Sequence, residues 1–410
     1  MGMNETPSGE RLHIGFFGRR NVGKSSLVNR VTGQELAVVS EVKGTTTDPV
    51  KKAMELLPLG PVVIIDTPGI DDEGHLGELR VKKARQVLNR VDVALLVADG
   101  TEGLGKTERE LLGLFRQKEI PYLIAFNKAD LLGPEQREKL LRETEPEGKA
   151  LLVSARENWQ IWELKEAIGQ IAGQKGPGKQ LVADLLHPSD FVALVIPIDK
   201  AAPKGRLILP QQQTIRDILD AGARAVMVRE DELAATLKTL GEKPSLVITD
   251  SQVFGKVAAD TPEEIPLTSF SILFARYKGN LLQAAEGAAF LKKIRTGDRI
   301  LISEGCTHHR QCGDIGTEKL PAMIRRYTGA RPEFVFSSGQ EFPEDLAGCR
   351  LVIHCGGCML NEREMKYRLK TAADQGVPMT NYGIAIACMQ GILARSVSMF
   401  PAVREVLERE

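Results

Sequence analysis

The chain has 410 residues, 42% hydrophobic and 26% charged, and Lys plus Arg equal Asp plus Glu at 54 each. That length exceeds what one hydrophobic core serves and predicts two or three domains. The net charge of zero speaks against a protein built to grip RNA, DNA or an anionic membrane, and the composition excludes disorder.

The opening stretch Met1–Arg11 is polar and carries no apolar signal region, and no apolar run reaches the length of a membrane span. A cytoplasmic protein is therefore expected. Strand-like and helix-like stretches alternate throughout, which predicts an α/β fold with parallel sheets. Apolar runs at Leu12–Phe17, Val62–Ile65, Val93–Val97, Tyr122–Phe126 and Leu151–Val153 predict buried strands. Amphipathic stretches at Gly105–Gln117 and Asn158–Ile171 predict helices. The breaker-rich run Ala172–Lys179 closes a first domain over 1–173. A second α/β unit is expected over 180–262, with strands at Phe191–Ile198, Ala225–Val228 and Leu246–Thr249. Its helices are expected near Gln211–Ala221 and Asp231–Leu240. The run Asp260–Pro266 reads as a second break. The third unit, 267–410, has strands near Arg299–Ser303, Phe334–Phe336, Leu351–His354 and Pro378–Thr380.

The first domain carries a phosphate-binding pattern. Gly18-Arg-Arg-Asn21-Val22-Gly23-Lys24-Ser25 fits G-x-x-x-x-G-K-[ST] between a predicted strand and a predicted helix. Glycines let successive N–H groups turn inward around phosphate oxygens, and the helix N-terminus adds partial positive charge. Lys24 would meet the β- and γ-phosphates, Ser25 would ligate Mg²⁺, and Ser26 follows in the same turn. Asp66-Thr-Pro-Gly69 closes another strand, where Asp66 can hold the Mg²⁺ shell and the Gly69 N–H can sense the γ-phosphate. Thr46, within Gly44–Asp48, lies where a threonine must reach Mg²⁺ and γ-phosphate. Asn127-Lys128-Ala-Asp130 ends a further strand. A carboxylate at Asp130 accepts both N1–H and N2–H of guanine, which adenine cannot offer, so the nucleotide is GTP, released as GDP. Ser154-Ala155-Arg156 sits where a backbone loop would contact the guanine O6. Lys24, Thr46 and Gly69 are thus the residues expected to act on the γ-phosphate.

These motifs, in this order, resemble the TrmE–Era–EngA branch of translation-factor-like GTPases. The position after Gly69 is Ile70, not a glutamine that orients water, so slow intrinsic hydrolysis is expected. In the resembling branch the residue matching Asn21 helps coordinate K⁺, which implies K⁺-stimulated hydrolysis. His75 reads as an exposed loop histidine.

All six cysteines, Cys306, Cys312, Cys349, Cys355, Cys358 and Cys388, fall in the last quarter of the chain. Cys306-Thr-His308 follows one predicted strand and His354-Cys355-Gly-Gly-Cys358 follows another, so both clusters fall beyond strand C-termini. Thiolates with nearby imidazoles suit Zn²⁺ or an iron–sulfur cluster. Zinc would want a closed set such as Cys306, Cys355, Cys358 and one histidine. A [4Fe–4S] cluster held by three cysteines would leave one iron for a replaceable ligand. A dithiol without metal is the third possibility. Glu304 is a candidate carboxylate ligand, Cys312 a loop thiol, and Cys349 and Cys388 packing residues.

The two-part cysteine–histidine motif behind this type of GTPase domain resembles the [FeFe]-hydrogenase maturation GTPase family over the whole chain. The resemblance implies a P-loop GTPase domain, a middle α/β dimerisation domain and a C-terminal α/β cluster-binding domain. It implies a homodimer that binds a [4Fe–4S] cluster and a two-iron precursor with CO and CN⁻ ligands. The precursor would come from radical-SAM maturation enzymes and pass to apo-[FeFe]-hydrogenase. Cys306, Cys355 and Cys358 would hold the cluster, with His308 and His354 near the iron or orienting a cysteine. The alternative is a ribosome or RNA assembly GTPase with a structural zinc site; the charge balance speaks against nucleic acid as the partner.

Overall fold

Aliphatic and β-branched runs form the strands of this computed structural model, which describes residue 6 and residues 8–34, 50–69, 84–173, 179–198, 207–305, 314–339 and 342–407. The chain divides into two units, Met1–Pro177 and Gly178–Glu410.

In the first unit, strands β1 (Leu12–Phe17), β2 (Val50–Leu56), β3 (Gly60–Asp66), β4 (Val93–Asp99), β5 (Tyr122–Asn127) and β6 (Ala150–Leu152) form one sheet in the order β2-β3-β1-β4-β5-β6. All neighbours are parallel except β2, which runs antiparallel to β3. Every residue of β4 is buried, as a central parallel strand covered on both faces requires. Helices α1 (Lys24–Thr32) and α4 (Ile161–Ala172) cover one face through Leu27, Val31, Leu164 and Ile168; α2 (Lys106–Gln117) covers the other through Leu112 and Phe115. Helix α3 (Pro134–Thr144) follows β5. The loops carrying Gly18–Gly23, Thr67–Gly69 and Lys128–Asp130 all leave the C-terminal ends of parallel strands.

The second unit holds two four-stranded parallel sheets. The first has strands β7 (Phe191–Val195), β8 (Arg224–Val228), β9 (Leu246–Thr249) and β10 (Leu267–Ser269), in the order β10-β9-β7-β8. Its helices are α5 (Leu209–Asp220), α6 (Leu233–Thr239), α7 (Phe254–Asp260) and α8 (Phe270–Lys278), and α9 (Leu281–Ala289) follows. The second sheet has β11 (Arg299–Ser303), β12 (Glu333–Ser337), β13 (Cys349–His354) and β14 (Met379–Asn381), in the order β12-β11-β13-β14. Its helices are α10 (Leu320–Thr328), α11 (Glu362–Asp374) and α12 (Tyr382–Met389), with α13 (Leu393–Ser396) and α14 (Pro401–Leu407) beyond.

The two sheets share one topology: the first strand is flanked by the second and third, and the fourth lies outside the third. The register matches too. Val195 pairs with Thr249 and Thr249 with Ser269, as Ser303 pairs with His354 and His354 with Asn381. Ser269 and Asn381 each end the fourth strand and cap the next helix, accepting the N–H of Ile272 at 3.3 Å and of Ile384 at 2.8 Å. The duplication shows in the sequence at these same positions: Pro266, Thr268, Ile272 and Ala275 recur as Pro378, Thr380, Ile384 and Ala387, and Leu246-Val-Ile248 recurs as Leu351-Val-Ile353. The two halves also share a core, in which Leu194, Ile248 and Phe270 join Ala284, Ile384 and Val403.

One expected boundary moves. Leu267 pairs with Val247, so β10 belongs to the middle sheet, and a third unit does not begin at 267. Asp260–Pro266 instead makes the turn from α7 to β10, closed by the Ile265 N–H on Pro262 O at 3.1 Å. Its two prolines mark a tight connection within a sheet. Among the described residues, no helix is long and apolar enough to cross a membrane.

Candidate functional site

The phosphate loop begins where β1 ends. Gly18 has φ +155°, and a Cβ there would lie 2.3 Å from Val97 O on the adjacent strand. Asn21 and Gly23 are left-handed at φ 64° and 81°. A Cβ on Gly23 would lie 2.2 Å from Asn127 Nδ2, so this glycine admits the side chain of the second motif. Asn127 Nδ2 donates to Val22 O at 3.0 Å and Gly23 O at 3.4 Å, and its Oδ1 accepts the Ala155 N–H at 3.0 Å. One buried side chain thereby ties together the loops after β1, β5 and β6. Arg30 Nε adds a bond to Ala155 O at 2.8 Å, and the buried Ser154 Oγ accepts the Glu157 N–H at 3.0 Å.

Lys128 is left-handed, φ 63°, and its Nζ reaches Asp99 Oδ2 at 2.6 Å. Burial raises the Asp99 carboxyl, but bonds from Lys128 and Thr101 outweigh it and hold the group below its ordinary value. Asp130 Oδ1 is buried and has no hydrogen-bond partner. It lines a cavity of about 940 Å³ together with Gly23, Ser26, Arg30, Lys128 and Ala155. A buried carboxylate oxygen without a donor is costly, and a ligand bearing N–H groups relieves it.

At the phosphate end, buried Lys24 places Nζ 2.5 Å from Asp66 Oδ1 and against Thr67 O, and Ser25 Oγ donates to Asp66 Oδ2 at 3.1 Å. Thr67 donates through both N–H and Oγ1 to Phe16 O, at 3.2 and 2.6 Å, which pins the Asp66–Gly69 turn to β1. Gly69 lies against Arg20, where a Cβ would come 3.0 Å from Arg20 Cα. Thr46, Ile70 and His75 lie outside the described residues.

Arg19 is a contact the motif did not foretell. Its Nε lies 2.5 Å from Glu108 Oε1 and its Nη2 2.7 Å from Glu102 Oε2. Glu108 Oε2 accepts the Gly105 N–H at 3.0 Å, so one buried carboxylate both caps α2 and holds the phosphate loop. The signal was a glutamate three residues into the helix.

In the second unit, β11 and β13 lie side by side with Ser303 opposite His354. Past the strands, the Cys355 N–H donates to Ser303 O at 2.9 Å, and Cys355 Sγ accepts the Gly305 N–H at 3.1 Å and the Gly357 N–H at 3.5 Å. Gly357 is left-handed, φ 63°, and a Cβ there would lie 2.7 Å from Met365 Sδ. The chain therefore enters the segment containing Cys306 beside Cys355. Cys306, His308 and Cys312 lie outside the described residues. Burial pushes the Cys355 thiol up to about 11, against the two backbone N–H donors. Burial also raises the Cys358 thiol, opposed first by the charge of Lys278.

His354 is fully enclosed and both ring nitrogens are engaged. Nδ1 lies 2.6 Å from Cys355 O, and Nε2 lies 2.9 Å from Arg368 Nη1. A guanidinium only donates, so Nε2 accepts and Nδ1 carries the proton. Burial, then Arg368, lower the His354 pKa to about 3. Arg368, itself buried, also donates to Glu364 Oε1 at 2.7 Å and Gly339 O at 3.1 Å. Lys278 Nζ donates to Cys358 O and Leu360 O, each at 3.0 Å. Lys278 did not stand out in the sequence, because it sits on a helix 80 residues from the Cys358 carbonyl it holds. Glu304 Oε1 accepts the Tyr382 hydroxyl at 3.2 Å. Cys349 and Cys388 are half-buried among apolar side chains. Among the described residues, no three His, Cys, Asp or Glu side chains meet in a metal-holding group.

Sequence models of known families match three stretches. A 50S ribosome-binding GTPase model matches residues 13–128, a hydrogen maturase F dimerization domain model 181–279, and a hydrogen maturase F tetramerization domain model 282–399. The chain is 37% identical over 165 residues to the tRNA modification GTPase MnmE of Heliobacterium modesticaldum, covering 40% of this chain and 35% of that protein. It is 35% identical over 138 residues to the GTPase Era of Synechocystis, covering 33% and 44%. It is 31% identical over 174 residues to the GTPase Der of Kosmotoga olearia, covering 40% and 39%. The chain thus spans less than half the length of each of these relatives. The matches place a GTPase domain at the N-terminal end, over the stretch that carries the phosphate loop and the Asn127 motif.

Proposed function

The chain belongs to the hydrogen maturase F family, and on that premise we propose that it is a GTP-operated carrier for hydrogenase maturation. It would hold a [4Fe–4S] cluster, accept a two-iron precursor with CO and CN⁻ ligands from radical-SAM enzymes, and deliver it to apo-[FeFe]-hydrogenase. What supports the thiol part is the Gly305 N–H on Cys355 Sγ at 3.1 Å, which brings the start of the Cys306 loop to the Cys355–Cys358 loop. Backbone N–H donors to sulfur suit a thiolate ligand, because they offset its charge.

In the nucleotide cavity, Asp130 is the acceptor for guanine N1–H and N2–H, and Asn127 holds the loops on which that acceptor stands. Gly18 to Gly23 present backbone N–H groups to phosphate. Lys24 leaves Asp66 and Thr67 O to meet the β- and γ-phosphates. Ser25, Asp66 and Thr46 would hold Mg²⁺, and the Gly69 N–H would meet the γ-phosphate. Asn21 would hold K⁺ beside the transferred group, supplying charge where other GTPases use an arginine finger.

In the thiol site, Cys306, Cys355 and Cys358 would hold the [4Fe–4S] cluster, which supplies an iron open to an exchangeable ligand when bound. His354, with both nitrogens engaged, orients the Cys355 backbone rather than reaching a metal, and His308 belongs to the opposite loop. The middle half of the second unit carries the dimer contact. Cytoplasmic location fits a cluster that oxidants destroy.

Anaerobic reconstitution with iron and sulfide, followed by EPR with and without added imidazole or cyanide, tests this reading. A signal shifted by the added ligand is expected. Stoichiometric zinc in place of iron would overturn it. The second reading, an RNA or ribosome assembly GTPase with structural zinc, is favoured by the names of the relatives, which cover the first domain alone.

A further inference from the structure

Lys278 closes α8, in the half of the second unit that carries no cysteine, yet its ammonium reaches the cysteine loop. The residue is 3% exposed. Its Nζ donates to Cys358 O and Leu360 O, both at 3.0 Å, and lies 5.6 Å from the centroid of the Phe274 ring. Those carbonyls belong to the turn just after left-handed Gly357, so the lysine fastens the second cysteine's backbone from beneath.

Burying an ammonium is expensive even when its hydrogens are satisfied. A neutral amide of similar length holds two carbonyls without that penalty. A full positive charge is favoured at this position when the turn it holds becomes negative, as it does when thiols give up protons to a soft metal.

We propose that Lys278 is a positioning residue for the thiol site, fixing the Cys358–Leu360 backbone and supplying positive charge against metal-bound thiolates. The middle half of the unit thereby completes the metal site of the other half and does more than dimerise. The inference rests on the reading of this loop as a metal site, whichever soft metal it holds.

The test uses the full chain and three variants, Lys278→Gln, Lys278→Met and Lys278→Arg. Anaerobic Co²⁺ titration, followed through the sulfur-to-cobalt charge-transfer band, reports thiolate binding without iron or hydrogenase. Lys278→Gln and Lys278→Met are expected to weaken Co²⁺ binding at least about tenfold, the scale of one nearby charge in a partly screened interior. Lys278→Arg keeps wild-type affinity. In protein reconstituted with iron and sulfide, the Gln and Met variants show a more negative midpoint potential and Arg does not. Thermal melting and sedimentation identify folded variants; if Lys278→Met fails to fold, the Gln and Arg pair decides. A folded Gln variant with wild-type Co²⁺ affinity and potential overturns the proposal, as does wild-type protein that binds no Co²⁺. If wild-type protein binds Co²⁺ but forms no iron–sulfur cluster, the cluster reading falls, and the Co²⁺ series still decides the role of Lys278.

Discussion

Met227 on β8 and Phe336 on β12 occupy the same position in two sheets of identical strand order. Met227 pairs with Leu194 and Phe336 with Ile302, each one step before the last pair of its strand. Both strands are sheet edges, and the two side chains are 52% and 41% exposed. An edge strand with an exposed apolar side chain invites pairing with another chain. β8 lies in the stretch matched by the dimerization model and β12 in that matched by the tetramerization model. Met227→Glu is therefore expected to give monomers in sedimentation velocity. Phe336→Glu should leave dimers and remove larger assemblies. Unchanged distributions for both variants would exclude these edges as contacts.

The orphaned Asp130 oxygen makes the base preference testable. Asp130→Asn replaces an acceptor by a group that offers N–H to the cavity, and guanine N1–H and N2–H then meet no carboxylate. GTP affinity should fall roughly 10²-fold or more, the scale of lost charge-assisted hydrogen bonds. Xanthosine triphosphate, with a carbonyl in place of the amine, should gain. Competition between the two nucleotides by calorimetry reads both effects; equal GTP binding by variant and wild type would remove Asp130 from the site.

Lys24 and Asp66 lie 2.5 Å apart, with Ser25 on the other carboxylate oxygen. Nucleotide must draw the ammonium away from Asp66 and let Mg²⁺ take its place. Lys24→Ala is expected to abolish detectable GTP hydrolysis and nucleotide binding. The same variant should retain a reconstituted cluster, since the thiols belong to a different unit of the chain. Folded Lys24→Ala protein that takes up no iron would show that the two sites do not work as separate modules.

Much of this was legible in the sequence where chemistry is contiguous. Gly18 to Ser25 announces itself because one loop supplies phosphate amides, lysine and hydroxyl together. The central strands read clearly because parallel strands buried on both faces are unbroken apolar runs. Strand β2 did not: its Val-Lys-Lys start is exposed, as an edge strand's is, and carries no apolar stripe. Strand β10 has three residues after a proline and reads as part of a linker. The hold of Asn127 on the Val22 carbonyl and that of Lys278 on the Cys358 carbonyl were illegible, because each joins groups at least 80 residues apart. The duplicated topology left only a short trace, Pro266-x-Thr268-x-x-x-Ile272 against Pro378-x-Thr380-x-x-x-Ile384, which is too brief and too unevenly spaced to read as a repeat of fixed period.

Asn21 is left-handed at φ 64° within the phosphate loop, a conformation asparagine tolerates better than most residues. If its amide oxygen also holds K⁺, the rate of GTP hydrolysis should rise on replacing Na⁺ with K⁺. Asn21→Asp should preserve the loop, whereas Asn21→Ala should remove the K⁺ response. Equal wild-type rates in matched sodium and potassium buffers would sink the role.

Cys355 is the cysteine whose sulfur the backbone addresses, through Gly305 and Gly357. Cys355→Ser keeps the size of the side chain but exchanges a soft donor for a hydroxyl that resists deprotonation. GTP hydrolysis should be unchanged, because every residue of the nucleotide cavity lies in the other unit. Iron and sulfide retained after anaerobic desalting should fall to a small fraction of the wild-type amount. Transfer to apo-hydrogenase, measured as hydrogen evolved after incubation with loaded protein, should fall with it. Cys349→Ser, at the start of the strand that Cys355 follows and half-buried among apolar side chains, is the matched control and should retain full iron. A Cys355→Ser variant with wild-type iron content and EPR signal would move the metal away from this loop.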